Sequence, residues 1–442
     1  MSIFDLMNST ELVAYWEELV KDEAPYPCEE LFPDDKKRGL KLEWLMGANG
    51  LPIVLKNSAF DAAAIPRGRI GFEKMESQMP YFKESTYIDE ELRQELNLVL
   101  ETGNQAYIDS VMNRIFNDET RLLRGARASR ERMRMMALTS GVIAMSANGQ
   151  TFSYDYQIPA ANKFETSVSW SDHTNSDPIE DIRVLKEGIE QRTGCKITRA
   201  MCDGKTWRDL RANEKIKNDI YAIRSNVGSI TNKMLQDYIA DQLDGLAVRT
   251  NDMRYADEEE TTQKFMPTDT FVMFPGSPLG KTMFGTTPQE SDLMAGNAAN
   301  VTITDMGVSV TTVQKTDPVN VETIVAMICL PSFEQAHTVG IIDTVKAPVI
   351  TSQPTAVTGK IGDKVEFSIG ASGTNLKYQW QYIIKGQNSW KNFDNGNAST
   401  MKKVLGESFD DLKVRVVITD GNGNSVTSDT VTVTLVKAPL TQ

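Results

Sequence analysis

The chain has 442 residues and a mass of 49.2 kDa, with 47 Lys+Arg against 60 Asp+Glu and a formal net charge of −13. At roughly 150 residues per domain, this predicts two or three domains with ample length for a hydrophobic core. With 40% hydrophobic and 24% charged residues it is neither disordered nor fibrous, and no apolar run approaches the ~18 residues of a membrane-spanning helix.

The first segment, 1–48, combines a short amphipathic helix (Leu12, Trp16, Leu19) with Pro25, Pro27 and Pro33 and reads as an extended arm. Asp5, Glu11, Glu17 and Glu18 occupy the place where a signal peptide has a basic start and an apolar stretch, which predicts a protein that stays in the cytoplasm. Residues 49–87 alternate glycines, prolines and β-formers, including Ile65 to Ile70, and predict a long hairpin loop. From about Asn104 to Met145 the period turns helical, with Ile108, Val111, Met112, Ile115, Phe116, Leu122 and Leu123 on one stripe. If continuous, this helix is about 60 Å long, with Gly125 as a candidate break.

Arg121, Arg124, Arg127, Arg130, Arg132 and Arg134 crowd its second half. They read either as a nucleic-acid face or as a charged surface answering acidic neighbours. The surrounding chain is acidic and no aromatic residue stands among them, which favours salt bridges at subunit contacts, with Arg121, Arg124, Arg127, Arg130 and Arg134 as the inter-subunit candidates.

The stretch 177–300 looks α/β. Asp177, Pro178 and Glu180 form a capped helix start whose apolar stripe is Ile182, Leu185 and Ile189. A strand from Lys196 to Cys202 reaches a turn at Asp203-Gly204. Thr206 and Asp209 open a further helix through Trp207, Leu210 and Ile216, and a third helix runs around Met234 to Leu243. The run Val321 to Pro331 reads as a buried strand. Beyond Lys346 the pattern becomes short alternating strands: Val365, Phe367, Ile369; Leu376, Tyr378, Trp380, Tyr382; Val414, Val416, Ile418; Val431, Val433, Leu435. This predicts a β-sandwich with Phe367, Trp380 and Val416 in its core. From residue 346 onward there are 11 Lys+Arg and 8 Asp+Glu, so the acidity lies in the body.

Nothing in the sequence points to an enzyme, a metal or a cofactor. The two histidines, His173 and His337, are far apart, and no Cys-x-x-Cys or His-x-x-x-His spacing occurs. Cys28, Cys195, Cys202 and Cys329 read as small buried hydrophobes. Gly276 to Thr282 approaches a phosphate-binding loop, but three residues rather than four separate its glycines, and Pro278 has no N–H to offer. Asp420 to Asn424 begins like a calcium loop, yet its sixth position is Ser425 and its twelfth is Val431, so a hairpin turn explains it better. No Gly-x-Ser-x-Gly elbow is present.

Several motifs in order resemble the lambda-type (protein E) major capsid proteins of tailed bacteriophages. They are Trp170-Ser171, the helix opening Asp177 to Ile182, the strand ending Cys202 to Trp207, Met266 to Met273, the Gly285 segment after Met283-Phe284, and the strand Thr323 to Pro331 running on to Val345. The segment from Pro348 resembles the bacterial immunoglobulin-like modules, through Pro348 to Pro354, Gly362 to Val365, Lys377 to Tyr382 and Ser389 to Lys391, without their antibody-type cysteines and with Val414 at the tyrosine-corner position.

The resemblance implies an α+β fold of the tailed-phage major-capsid (Hong Kong 97) type, with a long spine helix, followed by an all-β immunoglobulin-like sandwich. It implies a body over 1–345, divided into arm (1–48), extended loop (49–87), spine helix and peripheral sheet (88–176), axial α/β domain (177–320) and closing strand (321–345), with the sandwich over 346–442. It further implies hexamers and pentamers, a portal protein, candidate decoration proteins and packaged DNA contacted non-specifically, with assembly in the host cytoplasm and residence in the virion. The arm leaves no room before it for a fused scaffold, so a separate scaffolding protein is expected. The sandwich would project outward and bind host glycans weakly, with Trp390 as the stacking residue. A tail-tube subunit bearing such a sandwich is the alternative, and the long helix argues against it.

Overall fold

A computed structural model of the chain describes residues 8–46, 73–88, 90–102, 104–147, 149–223, 229–257, 260–293, 299–316, 319–346, 348–373, 376–387, 389–420 and 425–436. It forms two compact units, one of Met1–Phe164, Ile182–Trp207 and Asn232–Ile342, the other of Glu165–Asp181, Arg208–Thr231 and Asp343–Gln442. No helix among the described residues is long and apolar enough to cross a membrane.

Helix α1 (Ser9–Val20) is capped by Asn8, whose side chain accepts the Glu11 N–H at 2.8 Å. It buries Leu12, Val13 and Trp16; Leu19 of the expected stripe is half-buried. Strand β1 (Asp34–Lys36) follows the proline-rich stretch. Strands β2 (Lys41–Met46) and β3 (Glu73–Gln78) pair antiparallel, so a ladder joins the two ends of 47–72. The hairpin expected over 49–87 falls mostly on 47–72, outside the described residues. Strand β4 (Tyr81–Tyr87) leads to α2 (Glu90–Thr102) and then to α3 (Gln105–Ser140).

Helix α3 is 36 residues long, or ~54 Å. It ends five residues before the expected Met145 because Gly141 turns left-handed, at φ 76°, and its N–H closes on the Ala137 carbonyl at 3.0 Å. Glycine has no Cβ to oppose that conformation. Residues Val142–Ala147 (β5) then pair with Gln150–Asp155 (β6). Gly125 does not break the helix, and a Cβ added there meets nothing within 4 Å. Gly125→Ala should therefore raise the stability of the unassembled chain by about 0.5–1 kcal/mol in urea denaturation.

Helix α4 (Pro178–Thr193) precedes β7 (Ile197–Cys202). The next helix differs from the sequence reading, which ran it through Ile216. Asn213 splits it into α5 (Gly204–Ala212) and α6 (Glu214–Ile223). The buried Asn213 side chain accepts the N–H groups of Lys215 and Ile216, so it caps α6 rather than continuing α5. Helix α7 (Asn232–Gln242) then leads to β8 (Ala247–Thr250), which pairs parallel with β7. Strand β9 (Thr270–Pro275) pairs antiparallel with the other side of β7.

Further strands include β10 (Lys281–Phe284), β11 (Asn300–Thr304), β12 (Val308–Thr316), β13 (Val319–Ser332) and β14 (Gly340–Asp343). Strand β14 joins the sheet β14-β9-β7-β8. The 14-residue β13 organises the other sheet. One edge pairs with β12 over Val319–Met327; the opposite edge pairs with β4 over Glu322–Ile328 and with β10 over Cys329–Ser332. Strand β1 extends that sheet beyond β10. Ile115 and Leu123 of α3 share one core with Val310, Val321 and Val325.

The loop that imitated a phosphate site has a packing role. A Cβ at Gly280 would lie 1.9 Å from the Ser332 carbonyl oxygen, so glycine there lets β10 approach the end of β13. Cys28, Cys202 and Cys329 are buried and Cys195 is half-buried; all four are free thiols. Burial pushes the Cys329 thiol up to about 12.

In the second unit, β15 (Lys364–Ser368) pairs with β18 (Thr400–Val404), while β16 (Lys377–Ile383) lies between β17 (Lys391–Asn392) and β19 (Lys413–Thr419); β19 also pairs with β20 (Val431–Leu435). Phe367, Met401, Trp380, Val414, Val416 and Val433 form the core between these sheets. Trp380 is fully buried, 6.0 Å from the Phe367 ring centroid, with its indole N–H on the Ala398 carbonyl at 2.9 Å. Val414, in place of a corner tyrosine, is wholly apolar and buried. The strands beside 421–424 pair with each other, Thr419 opposite Ser425; the turn itself lies outside the described residues.

Candidate functional site

The arginines of α3 recur at 124, 127, 130 and 134, steps of three and four residues that place them along one face of a helix. The segment following α1 runs along that face and presents a carboxylate to each of them. Arg124 Nε donates to Glu23 at 3.0 Å. Arg127 reaches Glu23 through Nη1 at 3.0 Å and Glu29 through Nε at 2.9 Å, and stacks over Tyr26, 5.1 Å from the ring centroid. Arg130 bridges Asp34 at 3.3 Å and Asp305 at 2.6 Å. Arg134 donates to Asp34 at 2.5 Å and to Thr282 Oγ1 at 2.7 Å.

Arg127, Arg130 and Arg134 are buried. Three such guanidiniums are tolerated in a protein interior only because each fork meets oxygen acceptors on two sides. Further pairs fasten the same segment: Glu30 to Arg199 at 2.8 Å, Asp35 to Lys281 at 2.6 Å and Lys36 to Glu290 at 2.5 Å. Lys281 and the Lys36 backbone N–H hold the Asp35 carboxyl below its ordinary range. Asp34 shows the competition at the buried end. Burial raises its pKa, and Arg134 and Arg130 oppose that rise.

The sequence reading assigned Arg121, Arg124, Arg127, Arg130 and Arg134 to neighbouring subunits. In the folded chain Arg127, Arg130 and Arg134 instead answer carboxylates of their own chain, because the arm folds back on the helix. Arg121 is 77% exposed and pairs with Asp118, one turn back, at 3.3 Å; Arg124 keeps 45% of its side chain exposed. Arg132 turns to the Tyr255 ring, 5.4 Å from its centroid. The partners Glu23, Glu29, Asp34 and Asp305 were not singled out from sequence. The signal available was the run of acids from Glu23 to Asp35 among the prolines, but nothing local says which helix it will meet.

Two further glutamates of α3 are buried. Glu131 accepts the Cys28 N–H at 3.1 Å through one oxygen, while its other oxygen has no hydrogen-bond partner among the described residues and lies 3.8 Å from Arg134. Glu119 is 2% exposed, and its Oε2 has no well-formed hydrogen bond among the described residues. Burial pushes both carboxyls up to about 7. In the unfolded chain each titrates near 4.5. Below that value both states are protonated and the contribution to stability is complete; as pH rises from 4.5 through 7 the unfolded chain ionises first and the contribution is lost. Unfolding near pH 6 should therefore release about one proton per glutamate, and Glu131→Gln should abolish one of them, measured as a flatter pH dependence of the urea midpoint.

Trp390, the expected sugar-stacking residue, is half-buried, and the Arg415 guanidinium covers its ring, 4.1 Å from the centroid. Phe367, Trp380 and Val416 lie in the sandwich core.

The acidic arm thus straps the second half of α3, beside a sheet built on one long strand. The phage major capsid protein E family matches residues 48–342, and the chain belongs to that family. Among curated proteins no sequence relative is found. Among solved structures the chain is similar to a protein of an E. coli CFT073 prophage assigned as its capsid protein, at 16% identity and a TM-score of 0.48, covering 76% of this chain and 99% of that one. It is also similar to a phage-related protein of Bordetella bronchiseptica RB50, at 12% identity and a TM-score of 0.45 over 76% and 97% of the two chains. A third similarity is to the cyanophage A-1(L) capsid, at 10% identity and a TM-score of 0.41 over 71% and 90%. The family resemblance drawn from the sequence holds, and with it an α+β tailed-phage capsid fold and a structural role in a virion.

Proposed function

We propose that this chain is the principal building block of an icosahedral phage head, closing into hexamers and pentamers around double-stranded DNA. The observation that carries the reading is the capsid-family match over 48–342. The strapping of 23–36 onto α3 supports it, because a shell subunit must transmit load without local unfolding. In this reading 1–48 is the arm, 49–87 the extended loop, 88–176 the spine and peripheral sheet, 177–320 the axial domain, 321–345 the closing strand and 346–442 an immunoglobulin-like module. Contacts among identical subunits are heterologous, and ring closure yields a shell rather than a filament.

Of the five arginines proposed for subunit contacts, Arg121 and Arg124 retain the exposure to reach a neighbour. A scaffolding protein, a portal protein and candidate decoration proteins are the expected partners, with assembly in the host cytoplasm. The acidic body keeps packaged DNA mobile against it by repelling phosphates. The sandwich, with its small basic excess, projects outward and binds host glycans weakly, many copies together providing avidity.

Electron microscopy of the chain co-expressed with its scaffold should show closed shells, or rings of five and six. Narrow tubes of uniform bore, or monomers alone in the presence of the scaffold, would sink the reading.

A further inference from the structure

Helix α3 buries Val111, Met112, Ile115, Phe116 and Leu123, and Glu119 takes a place in this stripe where the period calls for an apolar side chain. The strand registers set a row of polar residues across the sheet beneath the helix. Asn300 stands opposite Thr312, Thr312 opposite Thr323, and Thr323 opposite Thr86, so the four share one face and one level of β11, β12, β13 and β4. Val310, Val321 and Val325, which share the core with α3, lie on that same face. Thr312 and Thr323 are buried, and Asn300 accepts the Ser9 hydroxyl of α1 at 2.7 Å. The Glu119 carboxyl lies beside the Thr323 hydroxyl, yet neither Glu119 Oε2 nor Thr323 Oγ1 closes a well-formed hydrogen bond among the described residues.

Among the described residues no cation answers this carboxyl. On α3 itself, Asp118 pairs with Arg121 at 3.3 Å, Arg114 with Glu95 of α2 at 3.4 Å, and Arg124 with Glu23 at 3.0 Å. The acids of α1, Glu11, Glu17 and Glu18, are exposed, and its Tyr15 donates to Asn117 at 3.2 Å. Glu84 of β4 is exposed at the sheet edge. Lys315 and Glu322 flank the polar row but pair with each other at 2.8 Å on the opposite face of the sheet. A carboxylate held here would be buried with no opposite charge and one hydroxyl beside it, which is costly; the neutral acid can instead donate to Thr323. The rise of this carboxyl to about 7 has the same cause. Ionisation therefore favours any opening that lets water reach Glu119.

We propose that Glu119 is a proton-operated latch between α3 and the sheet. With the acid protonated, the middle of the helix sits closed on the hydroxyl row. With it ionised, the turn around Glu119 parts from β12 and β13 far enough to admit water. The apolar residues on either side of that turn keep the helix in place, so the opening is local and not an unfolding of the chain. The seating of the longest helix thereby depends on pH, whatever the subunit assembles into.

The test is amide hydrogen exchange of the full-length chain at pH 6 and pH 8, corrected for base catalysis and read as protection of peptides over 111–123 and 308–327. The closed form titrates near 7 and a hydrated carboxyl near 4.5, so protection in these peptides should fall about tenfold across that interval. Glu119→Gln, an uncharged isostere, should hold protection constant. Glu119→Met, which completes the apolar stripe, should do the same and serves if the amide variant does not fold. Glu131→Gln removes the other buried acid of the helix and should leave the fall in these peptides unchanged. Equal protection of the parent at both pH values would mean that the hydroxyl row accommodates the carboxylate, and would overturn the latch. A fall that survives Glu119→Gln, or that Glu131→Gln removes instead, would overturn it as well. So would a fall shared equally by peptides of β7 and β9, which would be a loosening of the whole chain.

Discussion

Arg134→Met is expected to destabilise the unassembled subunit by about 3–5 kcal/mol, the penalty for removing one partner of a buried ion pair. Arg134 is 2% exposed and is the nearest cation both to Asp34, at 2.5 Å, and to Glu131, at 3.8 Å. Methionine fills much of the same volume, so the loss reports the weaker neutralisation of Asp34, left to Arg130 at 3.3 Å, rather than an empty cavity. Its effect should be read as a fall in the urea midpoint at constant slope. Combining it with Asp34→Asn should restore part of the loss, because the carboxylate that Arg134 neutralised is then gone. A single variant as stable as the parent would mean that the strap is not what fixes 23–36 to the helix. Exposed pairs such as Lys21 with Glu18 serve as controls, since disrupting one should change the midpoint very little.

Gly280→Ala is the second large effect, expected at about 3 kcal/mol or more, the upper end for overpacking. The added Cβ would stand 1.9 Å from the Ser332 carbonyl oxygen, 2.8 Å from its carbon and 3.2 Å from the Phe333 Cα. All three are backbone atoms, so no side-chain rotation relieves the clash. Relief requires parting β10 from β13, where Lys281 stands opposite Ser332, and that would disturb the attachment of β1 beyond them. The contrast with Gly125→Ala is the useful comparison. The same chemical change is predicted to destabilise at one site and stabilise at the other, because one Cβ meets a carbonyl and the other meets open space. A shared sign in the two denaturation curves would contradict the packing described here.

Both predictions concern places where the sequence was legible only in part. The amphipathic stripe of α3, the alternation in the sandwich strands and the apolar run of β13 are local repeats, readable because side chains at fixed spacing must share a face. The motif order from Trp170 to Val345 carried the capsid family in the same way. The end of α3 was also written locally, in Gly141, but the stripe appeared to run past it; a left-handed residue stops a helix whatever apolar residues follow. Asn213 acted likewise, its side chain replacing the backbone acceptor at the start of α6.

What the amino-acid order determined by itself was therefore the kinds of element, their sequence along the chain and the family they compose. The tertiary structure alone decided which charges meet. Arg134 and Asp34 are a hundred residues apart, and a guanidinium on a helix face carries no mark of whether a neighbouring subunit or its own arm will approach. It also decided that the Gly276 to Thr282 turn serves close strand approach. Such outcomes depend on chain crossings set by packing of the whole core, and no local period encodes them.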